Sequence, residues 1–122
     1  MLSRIGVESV ITSDYKVIQS SKGIILPGVG GFDKAMENLA QLDILQLLNS
    51  LVINDKKPIL GICLGMHIMA RNSEEGKLPG LGWIDAEIKF FRFKDDNINL
   101  KIPHMGWNEI IEKKESEFLK NM

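Results

Sequence analysis

The sequence predicts an α/β fold: a mostly parallel sheet with helices on both faces, extended by antiparallel β-structure in its second half. Three observations carry the expectation. Two continuous apolar runs, residues 23–26 (GIIL) and 58–62 (PILGI), end in glycine-rich turns, the pattern of strands buried on both faces. A helical stretch follows each turn, and strand–helix–strand–helix order marks a parallel sheet. Beyond residue 82 the chain becomes rich in aromatic and β-branched residues.

Residues 7–12 (VESVIT) read as a short first strand anchored by Val7, Val10 and Ile11, with Ser13-Asp14 as a turn. The second strand is residues 23–26, closed by Pro27-Gly28 and the turn Val29-Gly30-Gly31. Ala35, Met36, Leu39, Leu42, Leu45 and Leu48 then recur at three- or four-residue steps, which draws one apolar helix face. After the run at 58–62, residues 64–71 read as a helix and 72–82 as a glycine-broken loop. Trp83, Ile84, Ile88, Phe90, Phe91 and Phe93 suggest strand, residues 94–97 a turn, 100–102 another strand and 106–111 a hairpin arm. Residues 112–122 are polar, a helix or a frayed end.

Composition narrows the function. The chain has 122 residues, 44% hydrophobic and 25% charged, with neither a repeat nor a linker, so one globular domain is expected. Fifteen basic residues against sixteen acidic ones give a net charge of −1, which lacks the footprint of a nucleic-acid binder. A single cysteine excludes an internal disulfide or a multi-cysteine metal site, and two histidines add no metal spacing. No apolar run is long enough to span a bilayer and no signal-peptide core opens the chain. A cytoplasmic protein with neither metal nor cofactor is expected.

Ligands of open α/β sheets gather at the carboxyl ends of the strands, where both glycine-rich turns fall. Gly61-Ile62-Cys63-Leu64-Gly65 is the cysteine form of a nucleophile elbow. A tight strand-to-helix turn would push the Cys63 side chain out over the sheet edge. The flanking glycines make room for the turn and the helix behind it. The start of that helix favours a nucleophilic thiolate, and the Leu64 N–H would point to a developing oxyanion. A lone cysteine is otherwise a small buried hydrophobe; the glycines and the strand before it favour the elbow. Gly28, Val29 and Gly30 offer backbone amides for the other half of an oxyanion hole, or simply a turn. His67, four residues after Cys63, reads as a polar lining residue rather than a base. His104 reads as structural or interfacial, and Glu74 or Glu75 as solvated or as an ammonium binder.

These words together resemble the class I, triad-type glutamine amidotransferases. ILPGVGGF (residues 25–32), PILGICLGM (58–66), SEEG (73–76), GLGW (80–83) and PHMGWN (103–108) follow the family's order and spacing. PGVG, SEEG and PHMGWN together are most similar to the glutaminase subunits of imidazole glycerol phosphate synthases. The resemblance implies a flavodoxin-like fold and a cysteine, Cys63, that attacks the side-chain amide of glutamine. It implies an oxyanion hole from Leu64 and the Gly28-Val29-Gly30 strand, and Glu75 on the substrate α-amino group with His67 beside it. It implies a (β/α)₈-barrel cyclase as partner, facing Trp107, His104 and Asn108, which takes the ammonia within histidine biosynthesis.

Where the family usually has glutamine this chain has His67. The resemblance further implies that residues 1–122 are a partial type-1 amidotransferase domain. It would begin inside the family's first helix and stop before the segment that supplies the catalytic His and Glu. Open sheet edges and marginal stability are then expected. Three other readings stay open at this stage: ammonia supply to a surface-sugar amidation pathway, an inactive fragment or assembly module, and a thiol hydrolase or redox sensor using Cys63.

Overall fold

The computed structural model describes residues 2–92, 106–109, 111 and 113–115. They fall into two units, Met1–Phe90 and Phe91–Met122. The first holds every helix and strand among the described residues: a 3₁₀ turn Leu2–Ile5, α1 (Tyr15–Ser20), β1 (Ile24–Gly28), α2 (Phe32–Gln41), α3 (Leu45–Asn49), a π-helical turn Ser50–Asn54, β2 (Ile59–Cys63), α4 (Leu64–His67), β3 (Asn72–Ser73) and β4 (Glu87–Ile88).

β1 and β2 are the two expected apolar runs, paired in parallel from Ile24↔Ile59 to Gly28↔Cys63. The register brings both glycine-rich turns to the same end of the sheet. One face carries Ile24, Leu26, Gly28, Ile59 and Gly61. Ile24 and Leu26 pack against a core of Ile18, Phe32, Met36, Leu39, Ile44, Leu47, Leu48, Leu51, Leu64 and Ile68. Among the described residues no helix covers the other face, and Ile25, Leu60 and Ile62 are 40%, 37% and 48% exposed. Strand side chains alternate in direction, and the helices that meet this pair lie on the Leu26 side.

The long helix expected over residues 35–48 is two helices. Asp43 adopts φ 55°, a left-handed conformation that Asp tolerates better than most residues, and the chain bends there. Leu42 is consequently 52% exposed, and Ile44 enters the core in its place. α3 continues into a π-helical turn, Ser50–Asn54. No strand forms over residues 7–12: Val7, Val10 and Ile11 are exposed. Their spacing explains it, since Val10 has the opposite parity to Val7 and Ile11 and no single apolar face results.

Instead a short helix, α1, starts where a turn was expected. The Asp14 carboxylate caps it, accepting from the Lys16 and Val17 amides at 2.9 and 3.0 Å. Its other end is held by Lys57, whose Nζ donates to the carbonyls of Gln19 (2.8 Å), Ile18 (3.5 Å) and Ser21.

In the second half the described pairing is parallel, Asn72↔Glu87 and Ser73↔Ile88, rather than antiparallel. The connection over residues 74–86 has the ~12 residues that a parallel crossover needs. Of the apolar residues expected to form strand there, Ile88 does so. Trp83 packs on the core and donates from Nε1 to Asn49 Oδ1 at 2.7 Å, while Ile84, Phe90 and Phe91 are exposed. Arg71, Asp85, Glu87, Lys89 and Glu74 join in surface ion pairs around β3 and β4. Phe93, the turn at 94–97, the strand at 100–102 and the tail at 116–122 lie outside the described residues, as does His104. The described part of the hairpin arm, residues 106–109 and 111, has no strand.

Candidate active site

Cys63 is both the last residue of β2 and the residue that caps α4. Its backbone sits at φ 54°, ψ −122°, a sparsely populated conformation that costs a non-glycine residue of order 1–3 kcal/mol. The sharp turn leaves the cysteine exposed, while Leu64 and Gly65 just behind it are buried.

The glycines show why the turn fits here. A side chain at Gly65 would collide with the Leu26 carbonyl oxygen. One at Gly61 would lie 2.7 Å from Met66 Cα, and one at Gly28 would lie 2.8 Å from the Gly65 nitrogen. α4 therefore rests directly on the backbones of β1 and β2. It is shorter than the expected 64–71: after His67 the chain tightens into three-residue turns, with Met69 N bonding Met66 O and Ala70 N bonding His67 O.

Gly28 stands beside Cys63 in register. Val29 beyond it is 94% exposed, Gly30 takes φ 97°, and Gly31 caps α2. Leu64, as the first residue of its helix, has an amide without an intrahelical acceptor. The two backbone segments expected to make an oxyanion hole thus end side by side at the strained cysteine.

His67 and Glu75 are brought together: Nδ1 of His67 lies 3.9 Å from Oε2 of Glu75, both side chains being partly exposed. Glu74 points elsewhere, accepting from the Phe90 amide at 2.8 Å and pairing with Lys89 at 3.9 Å. Between the two acidic residues, then, Glu75 is the one turned toward α4. Its amide donates to the Ser73 hydroxyl at 3.1 Å, and Ser73 is itself buried.

Asp33, in the first turn of α2, was not among the expected site residues. Its Oδ1 accepts from the Lys77 and Leu78 amides at 2.8 and 2.9 Å, and Oδ2 from Lys77 at 3.0 Å. These two amides, Leu78's foremost, hold its carboxyl below the usual aspartate value. An acidic residue in a first helical turn is ordinary; nothing in the sequence links it to a loop 44 residues away. In the second unit Trp107 and Asn108 are exposed. Among the described residues no cluster of His, Cys, Asp and Glu could hold a metal ion, and no helix is long and apolar enough to cross a membrane.

A parallel β-pair that ends in a strained, glycine-flanked cysteine is the hallmark of a nucleophile-elbow enzyme fold. The chain belongs to the class I glutamine amidotransferase family, whose model matches residues 3–122.

It is 49% identical over 110 residues to the imidazole glycerol phosphate synthase subunit HisH 2 of Methanococcus maripaludis, covering 90% of this chain and 53% of that protein. It is 48% identical over 118 residues to subunit HisH of Bacillus cereus, covering 96% and 53% respectively. It is 38% identical over 122 residues to subunit HisH of Leptospira interrogans, covering 100% and 60%. The chain thus spans about half the length of the curated relatives it matches.

Proposed function

We propose that this chain carries the nucleophile and part of the glutamine pocket of an imidazole glycerol phosphate synthase glutaminase subunit. In that role it releases ammonia from glutamine for a barrel-shaped cyclase of histidine biosynthesis, in the cytoplasm. The observation that carries the reading is the backbone of Cys63, strained at φ 54° with its side chain exposed beside Gly28. The names of the relatives supply the pathway.

The chemistry follows from the placement. The Cys63 thiolate adds to Cδ of glutamine, and the carbonyl electrons move onto oxygen. The Leu64 amide and an amide of the 28–30 strand donate to that oxyanion. Collapse of the adduct breaks the C–N bond, and the nitrogen leaves as ammonia after gaining a proton. A glutamyl thioester remains; water adds to it, sulfur departs and glutamate is released.

Glu75 accepts from the α-ammonium of the substrate, and His67, facing Glu75, completes that side of the pocket. The proton transfers belong to the His of the family's His–Glu pair, not to His67, whose Nδ1 is directed at Glu75. The exposed Trp107 and its neighbour Asn108 face the cyclase, and His104 belongs to the same sequence word.

The test uses a chloroketone analogue of glutamine on the 122-residue chain. The expected result is alkylation at Cys63 that saturates with analogue concentration, is slowed by glutamine, and disappears in Cys63→Ala. Labelling that rises linearly with concentration and ignores glutamine would overturn the reading.

A further inference from the structure

We infer that Asp33 is the positioning residue for Glu75, and thereby sets the affinity of the site for its amino-acid substrate. The inference rests on the glutaminase reading, in which Glu75 holds the substrate α-ammonium.

Glu75 sits in a short loop fixed on both sides. On its N-terminal side Ser73 is buried, and its hydroxyl accepts the Glu75 amide at 3.1 Å. The Gly76 amide closes a turn onto the Ser73 carbonyl at 3.2 Å. On its C-terminal side the next two amides, of Lys77 and Leu78, both donate to Asp33 Oδ1 at 2.8 and 2.9 Å. Between these anchors the loop is pressed on α2. A side chain at Gly76 would collide with Asp33 Oδ1 and come 2.9 Å from the ring of Phe32, which is fully buried. The loop can approach only because residue 76 lacks a side chain.

Asp33 is two residues past Gly31, the end of the glycine turn that leaves β1 beside Cys63. One carboxylate therefore ties the segment proposed for the oxyanion to the loop proposed for the ammonium. The two ends of a bound glutamine are held at a spacing that Asp33 fixes. Charge-assisted bonds to backbone amides are roughly twice as strong as neutral ones, and a loop so held is preorganised for its ligand. Asp33 does not touch the substrate; its effect runs through Glu75.

The experiment is saturation alkylation of Cys63 by the glutamine chloroketone in wild type, Asp33→Ala and Asp33→Asn. Iodoacetamide, which lacks the amino-acid end, reports thiol reactivity alone. Asp33→Ala is expected to raise the half-saturating analogue concentration about tenfold, with the maximal rate and the iodoacetamide rate unchanged. Asp33→Asn keeps Oδ1 as acceptor and is expected to recover most of the affinity. Equal half-saturation in wild type and Asp33→Ala would overturn the inference and leave the glutaminase reading standing. Absence of saturation in wild type would overturn both.

A wild-type measurement stands beside these in case Asp33→Ala does not fold. The amide proton resonances of Lys77 and Leu78 are expected to shift together as acid protonates Asp33. If neither moves, the anchor does not exist and the inference fails.

Discussion

Cys63 and Gly28 close the two parallel strands side by side, and the space above Gly28 is filled by the start of α4. The strained turn at the cysteine depends on that contact. A methyl group at residue 28 would lie 2.8 Å from the Gly65 nitrogen and 2.9 Å from Leu64 Cβ. Backbone cannot yield as a side-chain tip does, so Gly28→Ala is expected to push α4 off the sheet and cost about 1–3 kcal/mol. Chloroketone alkylation of Cys63 should slow, because the Leu64 amide moves with the helix. Urea denaturation and labelling rates check both; an unchanged urea midpoint would show that α4 does not rest on β1.

Phe32 joins the core to the Glu75 loop. It is 0% exposed, and its ring edge occupies the space beside Gly76. Truncating a fully buried phenylalanine removes its burial and leaves a cavity, together about 3–5 kcal/mol. Phe32→Ala is expected to lose that much in urea denaturation, a large share of the roughly 5–15 kcal/mol that holds an ordinary domain folded. A loss below ~1 kcal/mol would mean that the first turn of α2 is not packed as described.

What the sequence made legible, and what it hid, follows the reach of each interaction. The elbow was readable because its sequence is local: Gly61, Cys63 and Gly65 lie within five residues, although Gly65 answers a contact with Leu26 of the neighbouring strand. The two parallel strands were readable as continuous apolar runs. The break at Asp43 was hidden because the apolar spacing runs on through Leu42, and a single left-handed residue erases it without changing the pattern. α1 was hidden because only Ile18 of its six residues is buried, so no periodicity exists; the cap at Asp14 was its one signal. The open face of β1 and β2 could not be foreseen from runs that are apolar at both parities. Asp33 was hidden most completely, since its partners are backbone amides of a distant loop, and amides carry no sequence signature.

Acid should release the Asp33 anchor. Hydrogen bonds from the Leu78 and Lys77 amides hold its carboxyl below the ordinary aspartate value of 3.8. A carboxylate depressed in the folded state stabilises fully above its unfolded value, and that contribution is lost as pH falls through the lower folded value. Stability is therefore expected to fall below about pH 3.8 in wild type. In Asp33→Asn the acid limb should be shallower, since residue 33 no longer titrates. Glu87, lowered mainly by its hydrogen bond from Lys89 and then by Asn72, adds a slope of the same sign. Glu87→Gln distinguishes its share. Urea midpoints measured from about pH 6 to about pH 2 check the prediction; parallel acid limbs in wild type and Asp33→Asn would contradict it.

Lys57 is expected to matter for α1 more than any residue within that helix except Ile18. Its ammonium donates to the carbonyls of Gln19 and Ser21 and reaches Ile18 at 3.5 Å. These acceptors lie at the C-terminal end of the helix, where cations are favoured and carbonyls lack intrahelical donors. Lys57 is partly buried, and its bond to Gln19 is exposed to solvent. Lys57→Met keeps the stem and removes the three donors. A hydrogen bond from a charged group contributes about 1.5–3 kcal/mol, and the exposed share lowers the expected loss to about 1–2 kcal/mol. The signature is local: amide exchange in Tyr15–Ser20 should accelerate while that of β1 and β2 follows only the global loss. If Lys57→Met leaves exchange in α1 unchanged, the helix is held by Asp14 and Ile18 alone.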